Sequence, residues 1–125
     1  MGQKRVLVVE DETDISELIR YNLEKAGYAV ATARSGEHAL ESARANPPDL
    51  VLLDLMLPDM SGWDVYQQMK ADAAMRNIPI VVVTARARDV DKLSDIHLAG
   101  IGDYITKPFK SEVLLQSVHR VLGEE

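Results

Sequence analysis

Asp49-Leu50-Val51-Leu52-Leu53-Asp54-Leu55-Met56-Leu57-Pro58 carries four consecutive apolar residues straight into a carboxylate. A short apolar run of this kind, bounded by polar residues and proline, reads as a strand buried on both faces. Such strands belong to parallel sheets covered by helices on either side. Asp54 then stands where the most buried strand ends. In open α/β sheets ligands bind in the crevice beyond the carboxyl ends of the strands. The carboxylate is therefore expected at a chemically active edge.

Towards the N-terminus, Val6 to Val9 is a second buried, β-branched run, ending in Glu10-Asp11-Glu12-Thr13-Asp14. A helix follows, with Ile15, Leu18, Ile19, Leu23 and Ala26 as its core-facing stripe. Asp14 with Glu17 resembles a capping box, and Gly27 is a C-terminal stop. Tyr28 to Ala33 reads as a short strand. Ser35 caps the next helix, whose apolar positions are Ala39, Leu40 and Ala43. Asn46-Pro47-Pro48 ends it, because proline cannot continue a helix.

Towards the C-terminus, Leu57 to Gly62 is a loop by its turn residues. The helix after it presents Val65, Tyr66 and Met69. Ile78 to Val83 is another buried run and ends in Thr84-Ala85. A helix over 89–99 rests on Val90, Leu93 and Ile96 alone, so packing holds it loosely. Gly100 and Gly102 break the chain. Asp103 to Thr106 is the fifth strand and ends in Lys107-Pro108-Phe109. The last helix, Ser111 to Leu122, has its stripe at Leu114, Val118, Val121 and Leu122. Five strands alternating with five helices predict an α/β fold with right-handed crossovers. The expected sheet is parallel, doubly wound, in strand order 2-1-3-4-5.

The chain of 125 residues is expected to form one domain over 1–125, with no effector domain. At 46% hydrophobic and 27% charged it has the composition of a folded protein, not a disordered one. A formal net charge of -6 argues against direct nucleic-acid binding, which needs a basic patch. No apolar run is long enough to cross a membrane. No apolar leader follows the start, where Lys4 and Arg5 lead into the first strand. The absence of cysteine removes disulfide and thiolate chemistry. A cytoplasmic protein is expected.

The polar residues at the strand ends are Glu10 and Asp11, Asp54, Thr84, and Lys107. Strands 1, 3, 4 and 5 are neighbours in the expected sheet, so these groups converge on one edge. Helix capping and dipole compensation would account for Glu10 and Asp11 alone. They do not account for Asp54 opposite them, because packed carboxylates repel one another. A hard divalent cation resolves the repulsion. Mg²⁺ takes oxygen ligands, uses one or two carboxylates, and leaves room for a phosphate oxygen. Mn²⁺ is a possible substitute. The Thr84 hydroxyl and Lys107 ammonium suit a phosphoryl group. Taken singly, Thr84 is an ordinary strand terminus and Lys107 a solvated loop lysine; it is the set that points to chemistry.

Val-Val-Glu-Asp-Glu at 8–12, Leu-Asp-Leu-Met-Leu-Pro-Asp-Met-Ser-Gly at 53–62, Val-Val-Thr-Ala at 82–85 and Asp-Tyr-Ile-Thr-Lys-Pro-Phe at 103–109 occur in that order. Together they resemble a response-regulator receiver domain of two-component signalling, across essentially the whole chain. The resemblance implies a flavodoxin-like receiver fold. It implies a phosphoryl group moved from a kinase phosphohistidine onto Asp54. Asp11, Asp54 and the Met56 backbone carbonyl would hold Mg²⁺, with Glu10 acting through a water. Thr84 and Lys107 would contact the phosphoryl group. Thr84 and Tyr104 would form the switch, the ring swinging inward behind the threonine. The Lys107–Pro108 peptide is expected cis, a form open to X-Pro bonds. A phosphoryl group adds about -1.5 to -2 charge. The loose helix 89–99 lies between the switch residues and is the natural element to shift. Implied partners are a sensor histidine kinase or phosphotransfer protein, and a downstream protein or missing effector domain. A monomer or weak dimer is expected, since Val113 and Ser117 replace the acid and arginine that pair across the dimer of the winged-helix subfamily.

Other residues carry blander readings. His38, His97 and His119 have no ligand spacing and read as surface or boundary positions. Trp63 reads as packing or partner surface, and the methionines as core filler, with Met60 in a loop. Arg86 and Arg88 read as solvated charge; Met56 and Arg86 also flank the path of a hydrolytic water. An aspartyl-phosphate phosphatase would need an acid two residues after the nucleophile, where Met56 stands. Turnover of an external substrate is therefore not expected. A flavin or dinucleotide binder would need a phosphate-cradling loop after the first strand, which Glu10-Asp11-Glu12 would repel. A degenerate receiver that only binds partners would not need the full set of site residues.

Overall fold

The structure is a computed structural model that describes residues 3–85 and 101–123, with only the backbone for residues 101 and 102. The expected helix over 89–99, together with Arg86, Arg88 and His97, lies outside the described residues. Strand β1 (Arg5–Val9) leads into helix α1 (Thr13–Lys25), then β2 (Ala29–Ala33) and α2 (Gly36–Ala45). Strand β3 (Leu50–Asp54) is followed by α3 (Gly62–Ala71) and β4 (Ile80–Thr84). After the undescribed segment come β5 (Ile101–Thr106) and α4 (Ser111–Leu122). The strands form one sheet in the order β2-β1-β3-β4-β5, every pair parallel.

Alternation along the strands makes two cores. Leu7, Val9, Val51, Leu53, Ile80 and Val82 pack with Val65, Tyr66 and Met69 of α3 and with Ala39, Leu40 and Ala43 of α2. Val6, Val8, Leu50, Leu52, Val81 and Val83 pack with Ile19 and Leu23 of α1 and Leu114 and Val118 of α4. All five residues of β3 are buried. A side chain the size of Leu or Val contributes about 1.5–3 kcal/mol when fully buried, so the central strands hold much of the stability.

Several boundaries differ from the sequence reading, for local reasons. Glu12, not Asp14, stands at the N-cap of α1, and its side chain makes no cap hydrogen bond. Asp14 lies in the first turn instead, where an acid complements the helix dipole. Leu18 of the expected α1 stripe is exposed, as is Ala26, which has left the helix as its C-cap. Ile19 and Leu23 carry the buried stripe, and Gly27 (φ 101°) turns the chain. Tyr28 precedes β2, because its N–H closes onto the Leu23 carbonyl. β4 starts at Ile80, since the Ile78 N–H is taken by Met75 in a turn. That turn buries Met75 completely. β5 begins at Ile101, two residues early, because Gly102 is the unpaired residue of a bulge: Ile80 faces Ile101 and Val81 faces Asp103. Ser35 caps α2 by accepting from the His38 N–H, as read from the sequence.

Candidate functional site

The parallel register assembles the site. Val9 pairs with Leu53, so Glu10 stands beside Asp54 one step further on. Asp54 pairs with Val83, and Thr84 with Thr106, which precedes Lys107. The Lys107 N–H also donates to the Thr84 carbonyl at 2.8 Å. Four strand ends thus deliver Glu10, Asp11, Asp54, Thr84 and Lys107 to one edge of the sheet.

Glu10, Asp54 and Thr84 are buried; Asp11 is half-buried. Carboxylate oxygens of Glu10, Asp11 and Asp54 lie within 4.8 Å of one another. The Lys107 ammonium donates to Glu10 Oε1 at 2.6 Å and to Asp54 Oδ2 at 3.1 Å. The other Asp54 oxygen accepts from the Met56 N–H at 3.0 Å, and Glu10 Oε2 accepts from the Glu12 N–H at 3.1 Å. Burial, with the Asp54 charge adding, pushes the Glu10 carboxyl up to about 7 against the pull of Lys107. Lys107 itself is lowered by burial, but Glu10 and Asp54 outweigh that and hold its ammonium above the ordinary value. Two buried carboxylates, a third beside them and one ammonium leave the cluster with excess negative charge. An all-oxygen, carboxylate-rich donor set of this span fits a small hard cation such as Mg²⁺.

The remaining predicted residues sit around this cluster. Met56 directs its backbone N–H to Asp54 while its side chain is exposed. Tyr104 lies on β5 two residues before Thr106 and is 51% exposed, outside the acid cluster. The Lys107–Pro108 peptide is cis. His38 is exposed and His119 half-buried, its Nδ1 2.7 Å from the Tyr28 hydroxyl. Trp63 packs edge-on to Tyr66 at 6.0 Å. No helix among the described residues is long and apolar enough to cross a membrane.

Two features escaped the sequence reading. A largely apolar cleft of about 370 Å³ opens beside the cluster, lined by Ile15, Leu18, Ala85 and Phe109, with Glu12 and Lys107 at its polar edge. Its signal was Leu18, which helical spacing alone assigned to the core. The loop after Asp54 is also pinned. Met56 bridges to Ser61, the Gly62 N–H donates to Leu55, and Asp59 accepts two N–H groups from α2. Nothing local in the sequence signals the contact of Asp59 with a helix that starts 23 residues upstream.

Residues 6–119 match the sequence profile of the response regulator receiver domain. The chain is 42% identical over 119 residues to the alkaline phosphatase synthesis transcriptional regulatory protein PhoP of Bacillus subtilis, covering 95% of this chain and 48% of that protein. The chain thus spans about half the length of the curated relatives it matches. A putative response regulator from Chloroflexus aurantiacus superposes with a TM-score of 0.89 at 30% identity, covering 98% of this chain and 100% of that one. The response regulator TrrA of Thermotoga maritima, solved in complex with Mg²⁺-BeF, superposes at 0.84 with 32% identity, covering 95% and 99%. With the sheet order, the acid cluster and the profile in agreement, this chain belongs to the response regulator receiver domain family.

Proposed function

We propose that the protein is a phosphoacceptor switch in which Asp54 takes a phosphoryl group from a histidine kinase or phosphotransfer protein. The observation that carries this reading is the placement of a buried Asp54 between two further acids and Lys107 at the sheet edge. Mg²⁺ would be held by Asp11, Asp54 and the Met56 carbonyl, with Glu10 acting through a water; when bound it supplies charge neutralisation at the transferring group. The Mg²⁺-BeF complex of TrrA supports that choice of ion.

The chain's own residues do the rest. The Met56 N–H and Lys107 ammonium each hold a different one of the two Asp54 oxygens. The Asp54 carboxylate attacks phosphorus, an O–P bond forms, and the N–P bond of the donor imidazole breaks. Phosphoryl transfer needs positioning and charge stabilisation more than covalent help, and Lys107 supplies the latter. Thr84 contacts the accepted group, and Tyr104 moves from its exposed position behind it. Met56 stands where a hydrolase would need an acid, so external substrates are not turned over.

The apolar cleft beside Lys107 supports docking of the donor protein there, with Leu18 and Phe109 as its contacts. The chain is read as cytoplasmic and as a monomer or weak dimer. Asp103 is committed within the chain, accepting from Ser117 at 2.6 Å and pairing with Arg120. Output passes to a downstream protein or effector domain.

The test is incubation with acetyl phosphate and Mg²⁺, read by intact mass. One phosphoryl adduct is expected, absent without Mg²⁺ and absent in Asp54→Asn. An adduct that persists in Asp54→Asn would place the acceptor elsewhere.

A further inference from the structure

We infer that Asp59 is a positioning residue: it anchors the loop after Asp54 to the N-terminus of α2 and so holds Met56 in register with the acid cluster. The inference deepens the proposed function and rests on it for the metal.

The loop between β3 and α3 is closed at its base. Met56 and Ser61 form a bridge, and the Gly62 N–H donates to the Leu55 carbonyl at 2.9 Å. Its tip is tied to a different element. Asp59 Oδ1 accepts from the Gly36 N–H at 2.8 Å and Oδ2 from the Glu37 N–H at 3.0 Å. These are first-turn amides of α2, which have no partners within the helix. The two amides hold the Asp59 carboxyl below its ordinary value. Met60 beside it presses on Gly36: a Cβ there would stand 2.4 Å from Met60 Cγ and 2.9 Å from Val65 Cγ2. One helix end thus receives both a carboxylate and a side chain from the same loop.

What the loop carries makes this more than a cap. The Met56 N–H orients Asp54 Oδ1, and the Met56 carbonyl is a proposed metal ligand. Met56 is 47% exposed, so its side chain is not anchored in the core. Its backbone is held by the loop, and the loop tip by Asp59. Losing a residue that orients a ligand from outside the first coordination shell typically costs about 10–100-fold in metal affinity.

Ser35 provides the control. It caps the same helix end through the His38 N–H at 3.1 Å, a bond that does not involve the loop. Asp59→Ala, Asp59→Asn and Ser35→Ala are compared by thermal unfolding, calorimetric Mg²⁺ titration and Met56 amide hydrogen exchange in Mg²⁺-free buffer. Asp59→Ala is expected to weaken Mg²⁺ binding about tenfold, the lower end for such supporting residues, and to speed Met56 exchange. Asp59→Asn, which keeps one acceptor oxygen, is expected to fall between. At saturating Mg²⁺ the phosphorylation rate of Asp59→Ala should return to the wild-type value. Ser35→Ala should lower the melting temperature alone. Wild-type Mg²⁺ affinity and Met56 exchange in Asp59→Ala would overturn the inference, as would equal effects in Ser35→Ala. Faster Met56 exchange in Asp59→Ala, with no Mg²⁺ binding by the wild type, would uphold the anchoring and sink the metal reading instead.

Discussion

Replacing Lys107 with methionine removes the ammonium that bridges Glu10 and Asp54 and keeps most of the side chain's volume. Its side chain is 10% exposed, and those of Glu10 and Asp54 are 2% and 5%. Breaking a buried ion pair from one side costs about 3–5 kcal/mol, because a buried charge is left uncompensated. The nearby edge of the sheet is partly wet, so about 2–3 kcal/mol is the expected loss. At about 4 °C per kcal/mol for a chain of this length, Mg²⁺-free Lys107→Met should melt about 8–12 °C below wild type.

The loss has a defined pH dependence. Glu10 is already raised from 4.5 to about 7, and Lys107 is among the groups restraining it. Without the lysine it rises further. A group whose folded pKa lies above its unfolded one lends stability below the unfolded pKa and loses it as pH climbs through the folded pKa. The gap between variant and wild type should therefore widen from pH 6 to pH 8. Added Mg²⁺ meets the same carboxylates without a competing cation, so it should bind the variant more tightly. At about 100 times its dissociation constant it restores about 2.7 kcal/mol. Phosphorylation should nevertheless slow about a hundredfold, since the charge that stabilises the transferring group is gone. Differential scanning fluorimetry across pH and Mg²⁺, with intact-mass kinetics, reads all of this. An unchanged melting temperature at pH 8, or Mg²⁺ affinity at or below wild type, would refute the reasoning.

Two further outcomes follow from the same geometry. Mg²⁺ must displace the Glu10 proton below about pH 7, so its affinity should rise about tenfold between pH 6 and pH 8; a flat calorimetric profile would contradict this. In Gly62→Ala the added Cβ would stand 2.4 Å from the Asp54 carbonyl oxygen and 2.6 Å from Leu55 Cα, backbone atoms that cannot rotate away. Overpacking of this kind costs about 1–3 kcal/mol, a fall of about 4–12 °C. Acceptance should slow too, because the strain falls on Asp54; wild-type melting and kinetics together would mean the loop has slack.

The sheet order was legible because the unbroken apolar runs at Val6–Val9, Leu50–Leu53 and Ile80–Val83 have no other stable home than a two-sided parallel sheet. Given that order, the meeting of Glu10, Asp54, Thr84 and Lys107 at one edge follows from topology. What was not legible rests on contacts that carry no local signature. Met75 is fully buried in a turn that sequence assigned to no element, organised by Asp72 accepting from the Ala74 N–H. Gly102 looked like a break and is a bulge inside β5. Leu18 fits the helical stripe and faces the cleft instead, because α1 is buried along Ser16, Ile19 and Leu23. Asp59 reads as a turn residue, and its partner lies on another helix.

Asp54, the proposed acceptor, also bears on how the fold is specified. A strand with one wet face is fixed in register by the rule that a one-residue slip turns its apolar side outward. β3 is buried on both faces, so that rule does not act on it. Leu50 to Leu53 would sit almost as well one step along. What distinguishes the register is the pair of acids bounding the run. Asp49 accepts from the Arg5 N–H at 2.7 Å and returns its own N–H to the Arg5 carbonyl. Asp54 meets Lys107 and the Met56 N–H at the other end. A slip one way draws the Asp49 charge into the sheet; a slip the other way draws Asp54 in and away from Lys107, its only partner in this pair that does not move with the strand. Either leaves an ionised group without compensation in a place that excludes water, which costs several kcal/mol. The carboxylate proposed to accept the phosphoryl group is thus one of the two groups that fix where the sheet edge lies.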